Sequence, residues 1–320
     1  MTSADLVVAE RTLTTTDDAT TLERVTHYAL ASSAQSTRRA YAADLRDWQA
    51  WCERTGATTL PATPEATAAY LAQLADQGPA VSTLLRRAAA LAYAHRIAGF
   101  PSPTRTELVR AVLSGSRREL GVQPNRKAPA TVDALGDMLA EVPATTAGRR
   151  DRALLLIGFA GAFRRSELVA IDVEDLEEVD QGITVLIRRS KTDQDGTGRL
   201  VAIPHGTRLR PVQALREWLD AAGISSGPVF RPISRTGNVG ASRLTDGSVA
   251  RVIQKYAAAA GLDPQAFGGH SLRAGFATSA LDSGADLSAV AGVLGHAKLD
   301  TTRIYDRRTL WSGHAGRKIL

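Results

Sequence analysis

Apolar residues in the first third of this chain recur at helical spacing. In STRRAYAADLRDWQAWCERTG, Tyr41, Leu45, Trp48 and Cys52 fall at i, i+4, i+7 and i+11, one stripe on a helix that Gly56 should stop. The next segment, TPEATAAYLAQLADQG, opens with Thr63 as a side-chain cap and Pro64 at the first helical position. It should bury Tyr70, Leu71 and Leu74 and end at Gly78. Two more helices are expected, from about Ser82 to Ile97 and from about Thr106 to Leu113. GVQPNRKAPA, residues 121–130, breaks the pattern with two prolines and no apolar period, and reads as a linker.

Beyond the linker the period changes. Asp151–Phe163 and Ser166–Ile171 read as helices, whereas ITVLIRR and RLVAIP read as strands around the turn SKTDQDGTG. Helical stripes return at Val212–Ala222, at Ser248–Ala260, from His270 through Leu272, Phe276 and Ala280, and from Leu287 to a stop at Gly295. A last ordered turn, DTTRIYDRR, takes Asp300 or Thr301 as its cap. The pattern therefore predicts two mainly α domains. An N-terminal tail (1–20) leads into an all-helical domain (21–120), then the linker (121–130), then a mixed α/β domain with a small antiparallel sheet (131–320).

Charge narrows the partners. Of 39 basic residues only Lys127, Lys191, Lys255, Lys298 and Lys318 are lysines, so 34 are arginines, and the net charge is +6. That balance favours a polyanion. Between Leu84 and Arg118 lie seven arginines and one acid, Glu107, where a solvated helix face normally mixes signs. Arg86, Arg87, Arg117, Arg118, Arg126 and Lys127 are the expected DNA-phosphate contacts. Cys52 is the only cysteine, which excludes an intrachain disulfide and a cysteine metal site. No run of about 18 apolar residues is present to span a membrane, and the first 20 residues lack the form of a secretory signal. A cytoplasmic protein is expected.

The chemistry-bearing residues come in an ordered series. GAFRRSEL holds Arg164 and Glu167 one helical turn apart; Lys191 sits in the predicted hairpin turn; GHSLRAG places His270 and Arg273 on one helix face; LGH ends in His296; Tyr305 follows nine residues later. Singly each is weak: in so arginine-rich a chain an H-x-x-R match arises by chance roughly 0.6 times. All five in order, each in its own setting, resemble the tyrosine site-specific recombinases of the phage-integrase family, over about residues 30 to 310.

The resemblance implies a helical core-binding domain and a catalytic domain clamped on double-stranded DNA, with Tyr305 attacking a phosphodiester to give a 3′-phosphotyrosine. A phenol of pKa about 10 is only about 0.1% ionised at pH 7, so it needs a proton acceptor, and His270 takes that place. Arg164, Arg273 and His296 would stabilise the non-bridging phosphate oxygens, Lys191 would protonate the leaving 5′-oxygen, and Glu167 would hold the cations in place. No metal, cofactor or ATP is implied. Four protomers would exchange strands through a Holliday junction at a core site of inverted repeats, each being a monomer or weak oligomer when free.

Some positions depart from the family pattern. Arg165 follows Arg164 where an apolar residue is usual; counting back from Ser166-Glu167 selects Arg164 and leaves Arg165 second. HSLRAG, with Ala274 in place of a second histidine, looks closer to the Cre-like branch, whereas His296 is the commoner family residue where Cre has tryptophan. Trp311, Ile319 and Leu320 would dock on a neighbouring subunit or pack in cis. A topoisomerase-like or telomere-resolving enzyme, and a non-catalytic DNA-binding protein of the same fold, are the alternatives. His27, His95, His205 and His314 read as structural or surface residues.

Overall fold

The computed structural model describes residues 35–121, 127–188, 198–296 and 298–306. The chain divides into two compact units, Met1–Asn125 and Arg126–Leu320.

In the first unit four helices are described: α1 (Gln35–Thr55), α2 (Pro64–Ala75), α3 (Val81–Ile97) and α4 (Glu107–Leu120). The Thr63 hydroxyl caps α2 by accepting from the Ala66 N–H. Trp48, Trp51 and Tyr70 form the aromatic centre of this core; the two indoles stack with centroids 5.3 Å apart and Tyr70 meets Trp48 edge-on at 5.1 Å. Trp51 lies off the stripe read from sequence, yet it is buried too. α4 runs seven residues past the expected stop at Leu113. Ser116 is buried and returns its hydroxyl to the Val112 carbonyl, and Gly121 at φ +73° supplies the actual end. His95 is fully buried between Leu91 O and the Ala62 N–H, a structural role.

The second unit contains α5 (Val132–Ala140), α6 (Thr146–Ala160), α7 (Arg165–Ala170), β1 (Leu176–Val179), β2 (Gly182–Ile187), β3 (Arg199–Pro204), α8 (Pro211–Ala222), α9 (Asp246–Ala259), α10 (Ser271–Asp282), α11 (Leu287–Leu294) and α12 (Asp300–Arg303). The sheet is antiparallel in the order β1-β2-β3. Register pairs Val185 with Val201 and Ile183 with Ile203, and all four are buried. β1 was not expected: LEEV has no apolar alternation, and it becomes a strand by pairing with β2. α6 starts five residues before Asp151 because Thr145 caps it by accepting from the Gly148 N–H.

The main core gathers α5, α6, α8 and α9 around Trp218, Phe230 and Tyr256. The buried Asp151 accepts from Tyr256 Oη at 2.9 Å and from Arg150. A smaller cluster of Ala162, Ala277, Leu281, Val290 and Leu294 lies apart from it, with Phe276 and Tyr305 packed against its edge. That cluster joins α10, α11 and the residues after α12.

Gly275 fixes where the second unit begins. It lies inside α10, and the Ala128–Ala130 segment crosses directly over it: Ala130 donates its N–H to Ser271 O at 2.9 Å and Val132 donates to Ser279 Oγ at 3.0 Å. A Cβ at residue 275 would sit 1.8 Å from the Ala130 carbonyl oxygen. Gly275→Ala would normally stabilise a helix by about 0.5–1 kcal/mol. Here the clash reverses the sign, and a net loss of about 1–3 kcal/mol is expected. Thermal denaturation checks it, together with faster hydrogen exchange at the Ala130 amide; an unchanged or raised Tm would mean the crossing segment gives way freely.

Candidate active site

The site is assembled from the ends of elements. α6 stops at Gly161, and Ala162 follows at φ +48°, a left-handed conformation that costs an alanine roughly 1–2 kcal/mol. That turn aims the Ala162 carbonyl at α10 and delivers Arg164 to the N-cap of α7. Glu167, at the third position of α7, accepts the Arg164 backbone N–H at 3.0 Å and its Nη1 at 2.5 Å. Arg165 faces away: its Nε lies 3.2 Å from Asp246 Oδ2 and its stem packs on Gly269. Of the two adjacent arginines, Arg164 is therefore the one in the cluster.

His270 occupies the N-cap of α10, and the buried Ser271 behind it accepts the Gly268 N–H at 3.0 Å. One turn on, Arg273 is 1% exposed, with Nη1 donating to Ala162 O at 2.8 Å and Nη2 donating to Leu294 O. α11 ends in a Schellman turn: Gly295 adopts φ +63°, its N–H bonds to Gly292 O, and the His296 N–H bonds to Ala291 O, both at 3.0 Å. This turn folds the His296 ring back toward the cluster. Its Nδ1 lies 2.8 Å from Oγ1 of the buried Thr302, whose carbonyl accepts the Tyr305 N–H at 3.0 Å. Tyr305 Oη lies 2.9 Å from His270 Nε2.

One further cation belongs to the group. Arg199, the first residue of β3, places Nη2 3.4 Å from Glu167 Oε2 and donates from Nη1 to Val293 O at 3.0 Å. Sequence reading missed it, because one arginine among 34 carries no local signal and both its partners are distant in the chain. Thr302 was missed for a related reason: its hydroxyl acquires meaning only once His296 is folded over it.

Two guanidinium groups, those of Arg164 and Arg199, share the Glu167 carboxylate, Arg273 lies within reach of its charge, and neighbouring titrations respond. Burial, with the positive charges of Arg273 and Arg164 adding to it, pushes His270 below its ordinary range, although the residue keeps solvent access. The same causes in the same order, joined by His270 and Arg199, push His296 down to about 4. Burial, then Arg164, lowers Arg273 to about 10, against the opposing pull of Glu167 and Tyr305. Both shifts favour the neutral imidazole at pH 7. In the tautomer in which the Thr302 hydroxyl donates to Nδ1, His296 carries its proton on Nε2 and can donate it.

The structure thus brings Arg164, Glu167, His270, Arg273, His296 and Tyr305 together. Lys191 and Arg126 lie outside the described residues, as does the tail with Trp311, Ile319 and Leu320. Arg117 and Arg118 are exposed at the end of α4; Lys127 is exposed and donates to Gln265 O at 2.5 Å. Arg86 and Arg87 are already partnered: Arg86 with Asp44, and Arg87 with Asp47 and the Tyr70 hydroxyl. Counting charge along the segment overlooked these acids, because α1 supplies them from about 40 residues away.

Comparison with known proteins gives the same order of parts. Residues 130–310 match the model of the phage integrase family, and residues 25–98 match the phage integrase N-terminal SAM-like domain. The Integrase/recombinase xerD homolog of Selenomonas ruminantium is 44% identical over 257 residues, covering 78% of this chain and 74% of that protein. Tyrosine recombinase XerC of Mycobacterium sp. (strain KMS) is 32% identical over 293 residues, 86% of this chain and 88% of that protein. Among solved structures, a lambda integrase dimer bound to a COC' core site superposes with a TM-score of 0.60 at 19% identity, covering 86% of this chain and 72% of that one. XerH site-specific recombinase bound to palindromic difH substrate in a post-cleavage complex superposes at 0.57 with 20% identity, covering 82% and 75%. At such identities those two likenesses speak for the fold, and the sequence matches speak for the family. The chain belongs to the phage integrase family of tyrosine recombinases, enzymes of site-specific recombination that cut and rejoin DNA.

Proposed function

We propose that this chain breaks and reseals DNA at a defined core site through a covalent bond to Tyr305. The 2.9 Å approach of Tyr305 Oη to a neutral His270, beside three clustered arginines, carries this reading. Tyr305 Oη attacks phosphorus and the P–O5′ bond breaks, leaving a 3′-phosphotyrosine and a 5′-hydroxyl. The phenolic proton passes to His270 Nε2, and Lys191 gives a proton to the departing 5′-oxygen. Arg164, Arg273 and the Nε2–H of His296 face the non-bridging oxygens, where charge grows in the transition state. Resealing runs the steps backward with a 5′-hydroxyl from a second duplex. The phosphotyrosine keeps the bond energy, so the proposal uses no ATP, metal or cofactor.

The partner is double-stranded DNA carrying inverted half-sites, acted on in the cytoplasm by four protomers that pass through a Holliday junction. Arg117, Arg118, Arg126 and Lys127 contact its phosphates. Arg86 and Arg87 join them only by exchanging Asp44 and Asp47 for phosphate.

Covalent capture tests the nucleophile. Duplexes drawn from a random-sequence pool should form denaturant-stable adducts with the wild-type protein, joined through a 3′-phosphate, and none with Tyr305→Phe. Adducts that persist with Tyr305→Phe would move the nucleophile elsewhere.

The pH profile tests the proton acceptor. With its pKa held below the usual 6.5, His270 stays neutral, and so able to accept, down to pH values under 6.5. The apparent kcat/KM for cleavage, which reports the free enzyme, should show its acid limb centred below about 6.5. An acid limb centred above about 6.5 would count against His270.

Salt dependence tests the binding surface. Each phosphate contact contributes roughly 0.9 to the slope of log K against log salt, so Arg117→Ala with Arg118→Ala should flatten it by about 2. Arg86→Ala with Arg87→Ala should flatten it less, since both side chains already have acidic partners. Equal slopes for wild type and the Arg117/Arg118 double variant would remove that surface from the interface.

A further inference from the structure

We propose that Thr302 is a positioning residue of this site: its buried hydroxyl donates to His296 Nδ1, fixes the ring in the tautomer protonated on Nε2, and holds that N–H toward the scissile phosphate. The inference rests on the phosphate-binding role proposed above for His296.

The direction of the bond follows from what surrounds it. Thr302 is fully buried, and its Oγ1 lies 2.8 Å from Nδ1. Among the described residues the hydroxyl has no other hydrogen-bond partner. A hydroxyl can accept from a ring N–H, but its own hydrogen would then be buried without an acceptor, an arrangement that folded proteins avoid. Donation to Nδ1 satisfies both groups with one bond. The tautomer is set by the same step, because a neutral imidazole that accepts at one nitrogen is protonated at the other.

The place of the ring is fixed at both ends. Its backbone is set by the Schellman turn, where the His296 N–H bonds to Ala291 O at 3.0 Å, and its Nδ1 is set by Thr302. Thr302 is in turn held through its own backbone: its N–H bonds to Leu299 O at 2.8 Å, and its carbonyl accepts the Tyr305 N–H at 3.0 Å. One residue therefore joins the phosphate-facing imidazole to the turn that carries the nucleophile. Burial, and then the charges of Arg273, Arg164, His270 and Arg199, disfavour a protonated ring here, so the two neutral tautomers are the forms that compete.

The two tautomers offer an anion opposite things. With its proton on Nε2 the ring donates to a non-bridging oxygen; with its proton on Nδ1 it turns a lone pair toward the same oxygen. A donor oriented before DNA arrives needs no rearrangement when charge grows in the transition state. Valine at position 302 keeps the β-branched shape and both backbone bonds, and removes the hydroxyl alone. Its effect should therefore pass through His296 and vanish where the imidazole is already absent.

The test uses the full chain as wild type, Thr302→Val, Thr302→Ser, His296→Ala and the Thr302→Val, His296→Ala double variant, with Tm and DNA affinity measured alongside. Nitrogen-15 NMR of histidine-labelled protein at about pH 8, where the ring is neutral, reads the tautomer without DNA. The His296 signals are assigned by their loss in His296→Ala. Wild type and Thr302→Ser are expected to carry the proton on Nε2, and Thr302→Val to show a mixture of the two neutral forms. Single-turnover adduct formation on a duplex obtained by covalent capture should be about 10–100-fold slower for Thr302→Val and within about threefold of wild type for Thr302→Ser. In the His296→Ala background the same valine should change the rate by less than about threefold. An unaltered tautomer in Thr302→Val overturns the proposal. So does an equal loss of rate with and without His296, which is the mark of a merely structural role. Wild-type speed in His296→Ala overturns the reading of His296 as a phosphate donor, and this inference with it. A slow His296→Ala beside a fast Thr302→Val overturns the role of Thr302 alone. If Thr302→Val does not fold, Thr302→Ala is judged by the same criteria.

Discussion

Arg273 lies almost wholly inside the second unit, with its two terminal nitrogens donating to the Ala162 and Leu294 carbonyls. A guanidinium taken out of water is costly unless its donors are satisfied and an opposite charge is near. Two backbone carbonyls satisfy part of it, and Glu167 supplies the nearby charge. Those carbonyls are available only because Ala162 takes a left-handed turn and α11 stops at Leu294. This buried cation thus fixes the α6–α7 turn, α10 and the end of α11 relative to one another. Arg164, His270 and His296 inherit their places from that arrangement.

The charge balance of the site has a direction. Arg164 and Arg199 contact Glu167, Arg273 feels the same carboxylate, and the pKa values of His270, His296 and Arg273 are lowered by burial first and by the neighbouring positive charges after it. An anion entering such a site meets dipoles and charges already oriented, so little reorganisation remains for the moment of reaction. It would also raise those same pKa values, restoring proton affinity where a transition state builds negative charge. The surplus is a strain on the folded protein and an advantage once phosphate is bound.

What could be read from sequence was whatever is encoded locally. Thr63-Pro64 opens α2, Gly295 closes α11, and His270 and Arg273 share a face because a helix repeats every 3.6 residues. Each needs only its neighbours, so each was legible, along with the order of the site residues. What long-range pairing decides was not. β1 exists because β2 lies beside it, Arg86 and Arg87 are neutralised by α1, and Arg199 gains its role from Glu167 and Val293. The expected stop of α4 at Leu113 failed for the same reason, since burial of Ser116 carries the helix on.

The legible half and the site coincide for a physical reason. Arg164 and His270 are N-caps, His296 follows a C-cap, Tyr305 stands two residues beyond α12, and Arg199 begins a strand. Element ends leave backbone donors and acceptors unpaired, and the chain satisfies them with particular residue types at particular offsets. Side chains at element ends can also converge on one point from several directions. Arg273 sits one turn inside α10, so it must be buried to reach that point, and its burial is what the rest of the site is organised to offset.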